Sequence, residues 1–403
     1  MNVSENSPAP PSLPSSSRWL TPGVLGIGLA SLFSDWGHEA ATSILPAFLA
    51  SLGAPAVALG LIEGISDALA SFAKLAGGWI ADHPPWRKPT GIIGYFATGL
   101  STFAYAFAQT WPVVLLLRAV GWAGRGSRGP SRDTLLADAV APGRQGRAFG
   151  FERAMDTIGA VAGPLCATAL VGTLGLRGVL RWTVVPGCVA ALAFAFLVPA
   201  AKEMHGRRAP SFASSFRQLP KNFWRFLAGV FTHGIGAFAP TLLILRASQI
   251  LTPRVGLARA ATLSVALYTL HNFVSALASY PAGALGDRIG KRGLLVFGYT
   301  IAAVAYAGFI FEPPTLPVLA SLFALAGAHD GVQQSLEKSL AAELLPGDAR
   351  GMGFGMLATF NGVGDLVSSV AVGALWSAVS PNAGFFYAGS FTLAGALLLF
   401  FWR

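Results

Sequence analysis

Apolar stretches of roughly twenty residues recur along the chain from residue 23 to its end, and short polar connections separate them. A helix that crosses the hydrocarbon core of a bilayer needs about 20 predominantly apolar residues. Only 11% of the 403 residues are charged and 53% are hydrophobic, whereas a soluble domain has about 25% charged residues. The pattern therefore predicts an all-α integral membrane protein and disfavours soluble enzymes and soluble nucleic-acid-binding modules.

Twelve such stretches can be distinguished. Residues 1–20 precede them and are rich in proline and serine, which predicts a disordered tail without the features of a removable signal peptide. A polar linker over 202–222 divides the first six stretches, in residues 21–201, from the last six, in residues 223–403. We number the predicted membrane-spanning helices as spans 1 to 12, over 23–50, 56–80, 90–109, 112–138, 151–172, 183–201, 226–247, 258–284, 293–311, 316–343, 354–378 and 384–402.

The net charge of +10 has two possible sources: a nucleic-acid-binding surface, or the basic loops that membrane proteins accumulate on their cytoplasmic side. If the N-terminus is cytoplasmic, most lysines and arginines fall in cytoplasmic connections and tails, for example Arg87, Lys88, Arg207 and Lys291. This distribution predicts cytoplasmic termini and a lipid bilayer as the environment, with no nucleic acid as partner. Cys166 and Cys188 lie in apolar stretches and indicate neither a disulfide nor a metal site.

The two halves of the chain share a repeat with an offset of 205 residues. Gly78 and Gly283 have this offset, and so do Asp82 and Asp287. Matches in one register across about half of the chain indicate a duplicated unit of six helices. The same offset relates Asp138 to Glu343, Gly146 to Gly351, Phe149 to Phe354 and Gly150 to Gly355.

Residues 283–292, with Gly283, Leu285, Asp287 and Gly290, resemble motif A (G-x-L-x-D-R-x-G-R-R) of the major facilitator superfamily. The first copy, after Asp82, has a turn that is one residue longer. The resemblance implies two pseudo-symmetric six-helix bundles that rock around a central site and give alternating access. It implies a transporter of a small molecule or ion and not an enzyme. We expect no cofactor and a monomer.

The resemblance also implies a cytoplasmic gate. The motif A acids Asp82 and Asp287 are expected to lie against the N-terminal ends of spans 11 and 5, where the helix dipole favours negative charge. A second acid in each half is expected to pair with a motif A base and close the gate. The implied pairs are Asp138 with Arg87 or Lys88, and Glu343 with Arg288.

Span 5 carries glycines at helical spacing. Gly150, Gly159, Gly163 and Pro164 resemble motif C, which marks antiporters in that superfamily, although alanine and threonine replace its terminal glycine pair. Ordinary close packing of helices is the alternative interpretation. Residues 118–138 and 151–156 resemble those of bacterial permeases that include nickel-resistance exporters, which implies a bacterial inner membrane.

Ionisable residues inside the membrane cost about 2.5 to 3.5 kcal/mol each on insertion scales, so each needs a partner, water or a proton. Asp35, His38 and Glu39 share one face of span 1, and Glu63 and Asp67 share one face of span 2. These rows fit a proton relay or a set of metal ligands. They fit equally a buried network of salt bridges that only fixes helix packing.

Span 4 supplies the opposite charge, because Arg118, Arg125 and Arg132 recur every seventh residue. The arginine stripe could hold an anionic substrate, since guanidinium groups suit carboxylate and phosphate, or it could neutralise the acids of spans 1 and 2. Arg118 lies where motif B of the superfamily has an arginine linked to proton transfer. In the second half, the candidate cavity residues are His271, Asn272, His329, Asp330 and Asn361.

Two functional hypotheses follow. The first is a proton-coupled exporter, an antiporter, in which an acid of span 1 or 2 changes its protonation and Arg118 or Arg125 tunes it. The second is a divalent metal exporter, and an organic-anion transporter that uses the arginine stripe remains a further alternative. No nucleotide-binding GxxxxGK[ST] motif is present, so we expect an ion gradient as the energy source. The metal hypothesis would use Asp35, His38, Glu39 and Glu63 as ligands.

Overall fold

In the part of the chain that the computed structural model describes, the secondary structure consists of helices joined by short loops. A 3₁₀ turn, Tyr105–Phe107, follows the third helix. The structure describes residues 19–54, 56–200, 211–238, 240–311 and 315–402, and the side chains of some helical residues, Glu63 and Asp67 among them, lie outside the described part. The helices are α1 Pro22–Ser51, α2 Ala56–Ala81, α3 Pro84–Ala104, α4 Trp111–Asp138, α5 Gln145–Trp182, α6 Val184–Leu197, α7 Phe212–Arg217, α8 Lys221–Gly234, α9 Pro240–Val255, α10 Leu257–Ile289, α11 Lys291–Phe311, α12 Leu316–Leu344, α13 Arg350–Ala378 and α14 Pro381–Phe401.

The helices differ from the predicted spans in two places. One continuous helix was expected over 226–247, but α8 ends at Gly234 and α9 begins at Pro240. Proline is well tolerated in the first turn of a helix, and the residue before a proline disfavours helical backbone angles. A new helix therefore begins at Pro240. Helix α5 is longer than predicted and contains a kink at Gly175, whose φ is +65°.

Four helical stretches of the described residues are long and apolar enough to cross a membrane by length and composition: Gln145–Leu197, Lys291–Phe311, Arg350–Ala378 and Pro381–Phe401. Other long helices carry charged residues in their interior, as α4 does with its arginines. The count of twelve spans therefore stays a prediction.

The two halves of the chain meet along two helix pairs, α2 with α13 and α5 with α10. Both contacts lie at the same end of the molecule, because Gly78 near the end of α2 approaches Gly351 and Gly355 near the start of α13. In the second pair, Gly283 near the end of α10 approaches Gly146 near the start of α5. We call this the motif end, since Asp82 and Asp287 lie there. The halves are therefore closed against each other at the motif end.

Within the first half, α1 packs closely against α5, and glycines allow the approach. A Cβ atom at Gly159 would lie 2.2 Å from the carbonyl oxygen of Leu32, and one at Gly163 would lie 2.7 Å from the backbone nitrogen of Ala40. Two glycines of the motif C pattern thus lie at the α1–α5 contact. The close packing is present, whether or not the pattern also marks an antiporter.

We predict that Gly159→Ala lowers the stability of the folded protein, whereas Gly172→Ala on the same helix does not. The first substitution forces α1 away from α5, an overpacking cost of about 1–3 kcal/mol. Gly172 has no atom within 4 Å of its added Cβ, so alanine there gains helix propensity, about 0.5–1 kcal/mol. Thermal unfolding in detergent measures both, and equal melting temperatures for the two variants would contradict the packing role of Gly159.

Candidate functional site

A cavity of about 650 Å³ lies between the two halves. Its walls come from α2, α4 and α5 in the first half and mainly from α10, α12 and α13 in the second. The wall of the first half is mostly basic and the wall of the second half is richer in acids. The charged and histidine residues that line it are Lys74, Arg125, Arg128, Arg132, Asp133, Arg153 and Asp156 in the first half, and His271, His329, Asp330, Glu337, Lys338 and Asp365 in the second.

Apart from Asp35 and Glu39 of α1, the predicted cavity residues fall into three groups in the structure. Arg125, His271, Asn272, His329, Asp330 and Asn361 line the cavity. His38 and Arg118 lie instead in a small separate pocket beside Trp122. Glu63 and Asp67 lie outside the described residues.

Asp35 and Arg125 form an ion pair between α1 and α4, with 2.7 Å between Oδ1 of Asp35 and Nη2 of Arg125. The carboxylate is buried, whereas a quarter of the arginine side chain is exposed, at the cavity wall. The ring of Trp122 lies 5.3 Å from the Arg125 guanidinium. One predicted acid of span 1 is therefore paired with one arginine of span 4, as the neutralisation alternative expects.

Two of the candidate metal ligands, Asp35 and His38, have other contacts in the structure. The ring of His38 packs edge-on against Trp122 at 4.9 Å, and its Nε2 lies 3.5 Å from the Thr42 hydroxyl. The carboxylate of Asp35 is paired with Arg125. Over the residues that the structure describes, no group of three or more His, Cys, Asp or Glu side chains could hold a metal ion. The described members of the predicted set, Asp35, His38 and Glu39, thus form no metal centre in this conformation.

Two further arginines of α4, Arg128 and Arg132, are held by partners within the first half. The guanidinium of Arg128 donates to the hydroxyls of Ser34 and Thr98 at 2.8 and 3.0 Å, over the ring of Tyr95. Arg132 pairs with Glu152 at 2.7 Å. Glu152 is almost fully buried and was not among the predicted site residues, although its charge in an apolar helix was a usable signal.

A second missed group joins the two halves at the cavity wall. Nζ of Lys338 on α12 lies 3.2 Å from Oδ2 of Asp133 on α4. Asp133 and Lys338 are equivalent positions of the 205-residue repeat, and so are Arg132 and Glu337. At both positions the sign of the charge is inverted between the halves. The Asp133–Lys338 bridge is the result, and it ties the halves together inside the membrane domain.

Glu337 differs from the other cavity acids because its partners are neutral. Its carboxylate accepts hydrogen bonds from the Tyr299 hydroxyl at 2.5 Å and from Nδ2 of Asn361 at 2.8 Å. By contrast, Asp330 lies 3.5 Å from Nε2 of His271. The ring of His329 approaches the carbonyl oxygen of Gly298, at 3.1 Å. His329 and Asp330, adjacent in sequence, therefore serve different contacts.

At the motif end, each motif A acid lies at the start of a helix of the other half. Asp82 accepts hydrogen bonds from the backbone N–H of Met352, at 3.2 Å, in the first turn of α13. Asp287 accepts from the backbone N–H groups of Gly146 and Arg147, at 2.9 and 3.0 Å, in the first turn of α5. These positions satisfy unpaired helix N–H groups and place negative charge at the positive end of the helix dipole.

The basic partners at the motif end differ in one respect from those implied by the resemblance. Nη1 of Arg87 pairs with Asp138 at 3.0 Å, and Arg350 of the other half pairs with the same carboxylate. Glu343, however, pairs with Lys291, and Arg288 is exposed. Arg87 is the fifth residue after Asp82, and because the first turn is one residue longer, its counterpart is Lys291, the fourth residue after Asp287. Arg288 directly follows Asp287 and corresponds to His83 at the offset of 205 residues. Lys88 is only partly buried and forms no ion pair in the described part of the chain.

The family model of the Major Facilitator Superfamily matches residues 27–266 and 255–403. An uncharacterized MFS-type transporter of Methanocaldococcus jannaschii is 27% identical over 390 residues, which cover 95% of this chain and 96% of the relative. The chain belongs to the major facilitator superfamily. It is an integral membrane transporter and not an enzyme.

Solved structures show the same fold. A bacterial homologue of the iron transporter ferroportin, in its outward-facing state, superposes with a TM-score of 0.77 at 14% identity, covering 94% of this chain and 98% of that one. The fucose:proton symporter of E. coli superposes with a TM-score of 0.76 at 14% identity, covering 95% and 99%. At such identities the likeness supports the fold alone.

We predict that the Asp133–Lys338 bridge stabilises the closed motif end. Asp133→Asn leaves the partly exposed Lys338 without this partner, and Lys338→Met leaves Asp133 with Arg132 as its remaining ion-pair partner. Each cost should therefore lie below the about 3–5 kcal/mol of a fully unpaired buried charge. The distance between spin labels at positions 86 and 289, both exposed at the motif end, should show a larger open population in each single variant.

The double variant Asp133→Asn with Lys338→Met is the control, because it leaves neither charge behind. It should lie closer to the unsubstituted protein than either single variant. Additive effects of the two substitutions would show that the residues do not act as a pair.

A further prediction concerns pH. Burial raises the pKa of Asp82, which follows the last residue of α2, to about 6 from an ordinary value of 3.8. Its contribution to the closed motif end is therefore complete below about pH 4 and is lost as the pH rises through 6. The difference of about two pKa units corresponds to at most about 3 kcal/mol. The closed population should fall between pH 4 and 7, and Asp82→Asn should flatten this titration; an unchanged titration would contradict the assignment.

Proposed function

We propose that the protein is a proton-coupled exporter of a small molecule that works by alternating access. The observation that carries the proposal is the Asp35–Arg125 ion pair, which joins α1 to α4 at the cavity wall. A buried carboxylate paired with a single partly exposed arginine can gain or lose a proton and thereby change the strength of a contact between helices.

The position of the pair in the fold supports a coupling role. Helix α1 packs on α5, which contacts α10 of the other half, and α4 packs on α2, which contacts α13. Asp35 and Arg125 therefore join the two helices that lie directly behind the two closing pairs. Protonation of Asp35 removes the attraction to Arg125, loosens this joint and changes the balance between the two conformations.

The charge distribution supports an orientation of the protein in the membrane. The basic residues of the motif end, among them Arg87, Arg350 and Lys291, favour a cytoplasmic location for this end. The closed motif end then corresponds to an outward-facing conformation. In an antiport cycle, Asp35 takes up a proton from outside in this conformation and releases it inside, where the substrate binds for export.

A second candidate substrate class is an organic anion. The basic wall of the cavity supports it, since Lys74, Arg125 and Arg153 would attract a carboxylate or phosphate. Arg125 and Arg153 are each paired with an acid, however, at 2.7 and 2.6 Å, so an anionic substrate must compete with Asp35 and Asp156. Metal export has weaker support, because the described members of the predicted ligand set lie apart.

The test is transport in proteoliposomes with an imposed pH gradient and a library of drugs, organic anions and divalent metals. We expect substrate-dependent proton flux, reduced at least about tenfold in Asp35→Asn because the pair can no longer cycle its proton. Substrate exchange without a pH gradient should persist in this variant. Asp348→Asn, in the loop between α12 and α13, is the control and should leave proton flux unchanged.

Two outcomes would contradict the proposal. Absence of proton flux with every substrate class would exclude proton coupling. Normal proton flux in Asp35→Asn would remove the coupling role from this carboxylate.

A further inference from the structure

A second cavity, of about 430 Å³, lies at the motif end on the outer surface of the α5–α10 contact. Both halves of the protein form it: Trp19 and Arg147 belong to the first half, and Tyr280, Leu285 and Arg288 belong to α10. We call it the α5–α10 groove. It is separate from the central cavity and does not include Asp35 or Arg125.

The α5–α10 groove combines two positive charges with an apolar and aromatic wall. The rings of Trp19 and Tyr280 lie 5.2 Å apart, and Leu285 is exposed. Neither Arg147 nor Arg288 forms a side-chain ion pair in the part of the chain that the structure describes, and no acid lines the groove. The nearby carboxylate of Asp287 is already occupied by two backbone N–H groups and by Nζ of Lys291.

The repeat supplies an internal comparison, because the α2–α13 contact is the counterpart of the α5–α10 contact. At the offset of 205 residues, Trp19 corresponds to Trp224, whereas Arg147 corresponds to Met352 and Arg288 to His83. Both arginines are therefore specific to the α5–α10 groove. The duplicated fold alone does not require them.

The two equivalent surfaces also differ in what covers them. At the α2–α13 contact, the short helix α7 packs against α13, and the ring of Phe216 lies 5.2 Å from Trp224. Ser215 of α7 is fully buried there. One surface is thus covered by a segment of the chain and carries no arginine pair. The other is lined by two arginines from opposite halves.

We propose that the α5–α10 groove binds the headgroup of an anionic phospholipid, with its phosphate between Arg147 and Arg288. Guanidinium groups suit phosphate geometry, and basic pockets between membrane helices are known lipid-headgroup sites. Tryptophan and tyrosine rings favour the headgroup level of the bilayer, and Leu285 faces the position of an acyl chain. The lipid takes the place at the α5–α10 contact that α7 takes at the α2–α13 contact.

The site has a conformational consequence. Arg147 and Arg288 come from different halves, so they converge only while the motif end is closed. A lipid that binds both arginines therefore stabilises the closed motif end, and closure in turn raises the affinity for the lipid. Lipid binding at the α5–α10 groove depends on the closed conformation. It does not require proton coupling.

The test compares the protein in nanodiscs of phosphatidylcholine alone and in nanodiscs that also contain phosphatidylglycerol. We expect phosphatidylglycerol to raise the ratio of closed to open motif end, read from spin labels at positions 86 and 289, at least about threefold. The double variant Arg147→Gln with Arg288→Gln should lose this response. Arg217→Gln removes an exposed arginine of α7 at the same end and should retain it.

Three further measurements distinguish lipid binding from misfolding and from other occupants of the groove. Arg147→Lys with Arg288→Lys should recover part of the response, which separates loss of lipid binding from misfolding. An unchanged lipid response in the glutamine double variant, or an equal loss in Arg217→Gln, would overturn the proposal. An equal effect of millimolar inorganic phosphate in detergent would assign the groove to a soluble anion. A lipid response that appears only after deletion of residues 1–18 would identify that segment as the occupant.

Discussion

The structure depends on the free-energy cost of placing charge inside a bilayer, which each intramembrane group must offset with a partner, water or a proton. Several of the charged groups in the described part of the chain pair between helices. Asp35 with Arg125 joins α1 to α4, and Arg132 with Glu152 joins α4 to α5. Because the partners lie on different helices, the same contacts that make the charges tolerable also determine how the first half packs.

The duplicated unit accounts for how the halves close against each other. Each motif A acid satisfies the start of a helix in the opposite half, and glycines bring the backbones together at both contacts. The two halves do not carry the same charges at all equivalent positions, however. Equivalent positions 133 and 338 carry an aspartate and a lysine, which attract each other across the interface. Two residues of the same charge there would repel each other, so the opposite signs at these equivalent positions are what make the contact attractive.

Much of the fold was accessible from the sequence, because hydropathy and the repeat report directly on the bilayer and on duplication. The departures have local physical reasons. The interruption between α8 and α9 follows from Pro240. The partner of Glu343 is Lys291, which is the counterpart of Arg87 once the longer first turn is counted, whereas Arg288 corresponds to His83. Asp133, Glu152 and Glu337 were missed because the helix faces that meet in the centre cannot be identified from spacing along one helix.

By itself, the sequence determined that the chain is a membrane protein of two related halves, because a bilayer imposes apolar spans and a duplication leaves matching residues in one register. A transporter was what the resemblance of residues 283–292 to motif A implied. It also placed acids on spans 1 and 2 and arginines on span 4. Only the tertiary structure decided which of them meet. A helix presents charges at regular intervals, but the partner, the burial and the access to a cavity depend on neighbouring helices that lie far away in sequence. For this reason the sequence could not show that Asp35 pairs with Arg125. Nor could it show that Arg147 and Arg288, 141 positions apart in the chain, line one groove.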